Sequence, residues 1–303
     1  MTAPLPLAGR TALVTGASRG IGAASARALG ALGARLILVA RGAEALKAVA
    51  AELVSGASVL TSDLALANAG EEVARAALGI LGGPPDIVVH AAGSFPLSTI
   101  EQVSDAELEL ALALNIAAPL RLTRALLGPM RRRGTGHVVT IGSVADRAVF
   151  PSNAAYAASK HALRAVHETL RAETRGSGIR ATLVSPAATD TELWNAHEPD
   201  NSPHLPSRRE MLRAEDVGDA VAWAVTRPAH VTIALRPASG SEGPVGDAVT
   251  GSPATGGAVG EPQELVPRLG VVLERAAQRG RDGARVLLLH AAHHHAEVLA
   301  HRV

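Results

Sequence analysis

Short apolar runs alternate with longer amphipathic stretches along the first 236 residues. The runs fall at Thr11–Thr15, Arg35–Ala40, Ser58–Thr61, Asp86–His90, His137–Ile141, Ile179–Val184 and Val231–Leu235. They are rich in aliphatic and β-branched residues and read as buried strands. Between them, Gly20–Leu32, Ala43–Leu53, Asp105–Arg132 and Asn153–Arg175 repeat their apolar positions at helical spacing in Ala-, Leu-, Arg- and Glu-rich sequence. Apolar strands separated by helices predict an α/β fold: a parallel sheet covered on both faces. Seven such strands predict a single doubly wound, Rossmann-like domain with strand order 3-2-1-4-5-6-7.

The pattern changes after Pro237. A domain over 1–239 is expected to give way to a Gly/Pro/Ser-rich linker at 240–263 and a tail at 264–303. Within the tail, Leu265, Leu269, Val272, Leu273 and Ala276 share one face at helical spacing, and a second, His-rich helix is expected over 282–301. His290, His293, His294, His295 and His301 crowd its end. On a helix, His290 and His294 stand one turn apart, near Glu297, which is metal-ligand spacing. The plainer reading is a solvated helix, and no metal is expected.

Composition narrows the function classes. The 303 residues carry a formal net charge of +1 and no cysteine. Near-neutral charge gives no electrostatic reason to expect nucleic acid or an anionic membrane as partner, and Arg131–Arg133 reads as a solvated helix end. Absent cysteine removes disulfides and thiol chemistry. The N-terminus does not read as a signal peptide, and no apolar run approaches the roughly 18 residues needed to span a bilayer. The expectation is a cytoplasmic protein.

The first strand runs into GASRGIG, with Gly16, Gly20 and Gly22 between a strand and a helix. In that position, glycines let backbone N–H groups approach a pyrophosphate at the helix N-terminus. An NAD site usually ends its second strand with an acidic residue for the ribose 2′-hydroxyl. Here the strand ends at Ala40 and is followed by Arg41, with Arg19 inside the glycine loop. Two guanidinium groups and no carboxylate favour a 2′-phosphate, hence NADP(H). Asp63 is placed either to accept from the adenine amino group or to cap the helix after it.

Tyr156, in YAASK, is the only tyrosine of the chain. On a helix it shares a face with Lys160, one turn away. A free phenol has a pKa near 10, and a neighbouring ammonium favours its phenolate. The pair therefore reads as a proton-transfer group.

These motifs resemble the short-chain dehydrogenases/reductases. TGASRGIG at 15–22 is similar to their TGxxxGIG loop, and YAASK to their YxxxK. Ser143 lies thirteen positions before Tyr156, and Asn115 resembles the family's helix asparagine; the likeness covers roughly residues 7–237. It implies a catalytic group of Asn115, Ser143, Tyr156 and Lys160, in which Tyr156 gives or takes the proton, Ser143 binds the substrate oxygen, Lys160 holds the nicotinamide ribose and Asn115 holds a water. It further implies cofactor contacts from Gly16, Ser18, Arg19, Gly20, Ile21, Gly22, Arg41, Asp63, Leu64, Ala92, Gly93, Tyr156, Lys160, Pro186, Thr189 and Thr191. Two departures stand out: His90–Gly93 reads HAAG for the family's NNAG, and Pro186–Ala187 reads PA for its PG.

The stretch Glu192–Leu212 reads as a lid or a surface loop, with Trp194 the foremost candidate to line the substrate site, ahead of Phe95 and Phe150. The resemblance implies a small-molecule carbonyl or alcohol substrate and a homodimer or homotetramer built on the long helices. Two other functions are compatible with the motifs: a non-catalytic NADP(H)-binding module, and redox-neutral epimerisation or dehydration.

Overall fold

A computed structural model describes residues 4–228, 231–237, 269–275, 286–292 and 295–297. The parallel core is formed by β1 (Thr11–Thr15), β2 (Arg35–Ala40), β3 (Ala57–Thr61), β4 (Ile87–His90), β5 (Gly136–Ile141) and β6 (Ile179–Val184), in the order 3-2-1-4-5-6. These strands are near-continuous Val, Ile, Leu and Ala because helices cover both faces of the sheet. β2, for example, is buried from Leu36 through Ala40. Two small strands, β7 (Thr189–Asp190) and β8 (Leu212–Arg213), pair apart from the sheet. β9 (Val231–Pro237) joins parallel to β6, through Leu183↔Ala234 and Val184↔Leu235.

Among the described residues, seven α-helices accompany the sheet: α1 (Gly20–Ala31), α2 (Ala43–Ala51), α3 (Ala69–Leu81), α4 (Asp105–Leu112), α5 (Ala118–Arg133), α6 (Ala154–Glu173) and α7 (Ala214–Val225). One core cluster joins α1, α2 and α7 to the sheet through residues such as Leu29, Leu36, Leu38, Leu46 and Val221. The other lies under α3 and α5 and includes Leu13, Ile37, Val73, Leu122, Leu126 and Met130. Full burial of one such leucine contributes about 1.5–3 kcal/mol.

Three expectations are corrected. First, the single helix expected over Asp105–Arg132 is two α-helices joined by a π turn at Ala113–Ala117. The Ala118 N–H reaches back to the Ala113 carbonyl, and Pro119, which has no N–H, sits at the start of α5. Second, the helical span 105–133 is by length and composition long and apolar enough to cross a membrane. Its apolar residues interrupt one another with Asn, Thr and Arg, so no continuous apolar run announces it. In the fold, α5 packs on α3, and α4 on α6.

Third, the tail stretches expected to be helical contain strands β10 (Leu269–Arg275), β11 (Val286–Ala292) and β12 (His295–Glu297), which extend the sheet antiparallel beyond β9. Short apolar runs such as VLLLHAA suit either state by periodicity alone, and pairing selects the strand: β10 pairs with β9 and β11 with β10. His290 is the register partner of Glu297. The expected linker at 240–263, with His293, His294 and His301, lies outside the described residues.

Candidate active site

The site forms where the carboxyl ends of β1, β4, β5 and β6 meet the starts of their following segments, as open α/β sheets favour. β1 delivers Thr15 into the glycine loop. The Thr15 hydroxyl accepts hydrogen bonds from the Ala91 N–H at 3.1 Å and the Ala92 N–H at 3.2 Å, which fixes the loop after β4 beside it. Gly16 adopts φ +66°, and a Cβ on Gly22 would stand 2.2 Å from the Gly16 carbonyl oxygen. Within the loop, backbone therefore packs directly on backbone. That helix has no acidic residue in its first turn and no side-chain cap. Its first N–H groups and positive dipole end suit a phosphate.

Arg19 and Arg41 are exposed on this rim, with Ser18 and Ile21 half-buried beside them. Asp63 accepts from the Ala65 N–H at 3.1 Å in a local turn and does not cap α3, whose N-cap is Asn68; Leu64 after it is buried. Ala92 and Gly93 are half-buried at the end of β4. The loop after β6 reaches across to the start of α1: a Cβ on Gly20 would meet Thr191 Cγ2 at 3.1 Å.

Both departures from the family pattern have structural answers. His90 turns into the core, where its Nε2 pairs with Thr123 Oγ1 at 2.8 Å. Among the described residues, only Ser152 and Glu198 are non-glycines with positive φ. Ala187 thus replaces the family's glycine in ordinary backbone. Its carbonyl accepts from the Thr189 hydroxyl at 3.0 Å, and the Pro186 carbonyl accepts from the Val144 N–H at 3.0 Å.

The four expected catalytic residues converge. Ser143 ends β5, caps the short turn Val144–Asp146 and is buried, its Oγ accepting from the Ala145 N–H at 3.1 Å. It also acts on the Tyr156 phenol, in the direction that favours the phenolate. Lys160 is buried one turn along α6, with Nζ donating to the Ile141 carbonyl at 3.0 Å and lying 5.5 Å from the centre of the Tyr156 ring. Asn115 sits in the π turn. Its Oδ1 accepts from the Ser94 N–H at 2.9 Å, while its Nδ2 donates to the Ser94 carbonyl at 3.0 Å and to Ser159 Oγ at 2.9 Å.

The electrostatics differ from expectation in one respect. Burial pushes the Tyr156 phenol up to about 12; Ser143 opposes this and the Asp146 charge adds to it. The lysine ammonium lies over the ring face rather than at the hydroxyl, a cation–π placement. Lys160 itself is pulled down by burial to about 8, with Asp146 holding it up.

Two of the sequence's aromatic candidates meet at the phenol, together with His197, which the sequence did not single out. Phe95 packs edge-on against Tyr156 at 4.8 Å and against Trp194 at 4.7 Å, and His197 against Phe95 at 5.4 Å. His197 Nε2 also pairs with the Phe95 carbonyl at 3.0 Å. Trp194 is buried, whereas Phe150 is exposed. Three of the five aromatic residues of the chain thus meet at the phenol. Ser159, which bridges Asn115 to the Tyr156 carbonyl at 2.7 Å, gave no signal beyond its place inside YAASK. Among the described residues, no cluster of three His, Cys, Asp or Glu is set to hold a metal.

The sequence matches the family described as short chain dehydrogenase over residues 10–202. It is 38% identical over 234 residues to the glycine betaine reductase ATRR of Emericella nidulans, covering 75% of this chain but only 18% of that reductase. Among solved structures, a metagenomic short-chain oxidoreductase in complex with NADP is 33% identical, with TM-score 0.63 over 74% of this chain and 93% of the other. A 3-oxoacyl (acyl-carrier-protein) reductase from Agrobacterium tumefaciens C58, with NADP bound, is 30% identical, with TM-score 0.66 over 73% of this chain and 88% of the other.

Proposed function

The chain belongs to the short-chain dehydrogenase/reductase family, and from that premise we propose that it is an NADP(H)-dependent oxidoreductase acting on a carbonyl or secondary-alcohol substrate. The convergence of Ser143, Tyr156 and Lys160 at the end of β5 and the start of α6 carries this reading. Nothing in a pure cofactor-binding module requires a hydroxyl, a phenol and a buried ammonium together.

The residues that would hold the dinucleotide fit it. The close-packed glycine loop and the uncapped start of α1 take the pyrophosphate. Arg19 and Arg41, with no acidic residue at the end of β2, take a ribose 2′-phosphate. Ser18, Ile21, Asp63, Leu64, Ala92 and Gly93 line the adenosine side, while Pro186, Thr189 and Thr191 line the nicotinamide side. When bound, the nicotinamide supplies or accepts the hydride.

The chain's own residues handle the proton. Tyr156, protonated at neutral pH, donates to the oxygen of the reduced carbonyl. Ser143 hydrogen-bonds the same oxygen and fixes it as negative charge develops there. Lys160, still largely cationic at neutral pH, stabilises the phenolate that remains and binds the nicotinamide ribose. Asn115 anchors the loop after β4 to α6 and, by the family's pattern, holds the water through which Lys160 is reprotonated. Phe95, Trp194 and His197 close the substrate side. They favour an apolar group next to the carbonyl and exclude water.

We place the protein among soluble enzymes that pair through α4 and α5. Leu108, Leu110, Leu112 and Leu120 are exposed there, a surface that a second copy would cover.

The test is NADPH oxidation against a broad panel of carbonyl compounds, with NADH and Tyr156→Phe run alongside. Turnover with NADPH that disappears in the variant supports the reading. Full turnover by Tyr156→Phe, or tight NADPH binding with no turnover on any carbonyl, overturns it.

A further inference from the structure

Three residues beyond Ser143, the chain buries a carboxylate completely. Asp146 is 0% exposed. Its N–H donates to the Ser143 carbonyl at 3.0 Å, so the acid closes the same turn that Ser143 caps. One carboxylate oxygen is paired with Arg147 Nη1 at 2.5 Å, and the other accepts from Ser185 Oγ. Ser185 is itself buried, directly before Pro186. The turn packs against α6, which carries Tyr156 and Lys160.

The strand end is shaped around this acid. Lys160 is anchored on the Ile141 carbonyl. The next residue is Gly142, where a Cβ would stand 2.7 Å from Asp146 Oδ2 and 2.8 Å from Ser185 Oγ. Within three consecutive residues, β5 thus contacts the lysine, accommodates the carboxylate and presents Ser143. A fully buried carboxylate is costly unless paired. Here it is paired, on a turn that packs against the helix of Tyr156 and Lys160.

We propose that Asp146 is a positioning residue of the site: a buried carboxylate, locked by Arg147 and Ser185, that holds Tyr156 and Lys160 in their protonated forms and so favours the proton-donating state used in carbonyl reduction. This inference rests on the hydride-transfer reading above. A negative charge beside the pair opposes loss of the phenol proton and loss of the ammonium proton alike. Asp146 acts in that sense on both residues, against the burial that strips charge from Lys160. Arg147 stands on the same turn, and His197 packs on Phe95, the ring that meets Tyr156.

Because Tyr156 is the only tyrosine, ultraviolet titration of tyrosinate in the full chain reads this one phenol without any turnover. Asp146→Asn is expected to ionise about one pH unit lower than the native chain. The rising limb of alcohol oxidation with NADP+ should move down by a similar amount. Ser185→Ala, which keeps the charge and removes one hydrogen bond, should leave both midpoints in place. If Asp146→Asn does not fold, Arg147→Gln serves instead and should move both midpoints up. Unchanged midpoints in a folded Asp146→Asn or Arg147→Gln chain overturn the role, as would equal shifts in Asp146→Asn and Ser185→Ala. Absence of turnover in the native chain would count against the hydride-transfer reading alone, since the phenol titration still decides the role of Asp146.

Discussion

Asn115 Nδ2 and Ser159 Oγ, 44 positions apart in the chain, share a 2.9 Å hydrogen bond between the π turn and α6. The same amide is bonded at both its atoms to the Ser94 backbone. One side chain therefore holds the loop after β4, the π turn and the helix of Tyr156 and Lys160 in a fixed relation. Asn115→Ala would leave three polar groups without their partner, at about 1–3 kcal/mol for each that stays dry. The expected result is a thermal midpoint lower by about 5 °C or more, with reductase turnover falling alongside. A calorimetric midpoint within a degree of the native value would refute the anchoring role.

The phenol is the group whose removal should be felt most in chemistry and least in folding. Tyr156→Phe is expected to lower kcat by about 10²–10⁴-fold. Its ring contact with Phe95 survives the change, so NADPH affinity, read by fluorescence, should stay within about threefold.

Cofactor choice should reside in the two exposed arginines. Each guanidinium contributes charge-assisted hydrogen bonds to a phosphate, worth about 1.5–3 kcal/mol. Arg41→Ala and Arg19→Ala are each expected to raise KM for NADPH by about tenfold or more while leaving KM for NADH nearly unchanged. Parallel losses for both cofactors would mean that the arginines shape the loop rather than read the phosphate.

Three buried imidazoles make the fold sensitive to acid. Burial pushes His90 down to about 3, His167 down to about 4, and His137 well below its ordinary 6.5. Each is paired with a threonine hydroxyl: His90 with Thr123, His137 with Thr182, His167 with Thr140. The unfolded chain takes up these protons near pH 6.5 and the folded chain only at much lower pH. Stability is therefore complete above about pH 7 and falls as the pH drops below 6.5 towards the folded values. The loss is about 1.4 kcal/mol per pH unit for each imidazole. Three together would exhaust an ordinary stability of about 5–15 kcal/mol within a few pH units. Urea midpoints at pH 7.5, 6.0 and 5.0 should fall steeply between the last two. A flat series would show that the imidazoles are not held neutral.

The exposed leucines of α4 and α5 predict association. Light scattering at micromolar concentration is expected to give a dimer or tetramer, and Leu112→Glu to shift it towards monomer. A native chain that is already monomeric would remove this surface as an interface.

What the sequence determined by itself was local. Strand and helix positions follow from the period of apolar residues, and the parallel class follows from their alternation. The glycine loop, Tyr156 and Lys160 were legible because their chemistry depends on neighbours within one turn or one loop, where spacing fixes geometry. Tertiary structure decided whatever depends on meetings across the chain. Asn115 reaches Ser94 across 21 positions, and His197 reaches the Phe95 carbonyl across 102. Burial is also a property of the assembled fold. It drives the Tyr156 phenol upwards where proximity to Lys160 alone argued for the reverse, and it turns His90, His137 and His167 into neutral core residues. Asp146 illustrates both limits. In the sequence it is an unremarked acid three places past Ser143; only the packing of β5, β6 and α6 around it gives its charge a place beside the phenol.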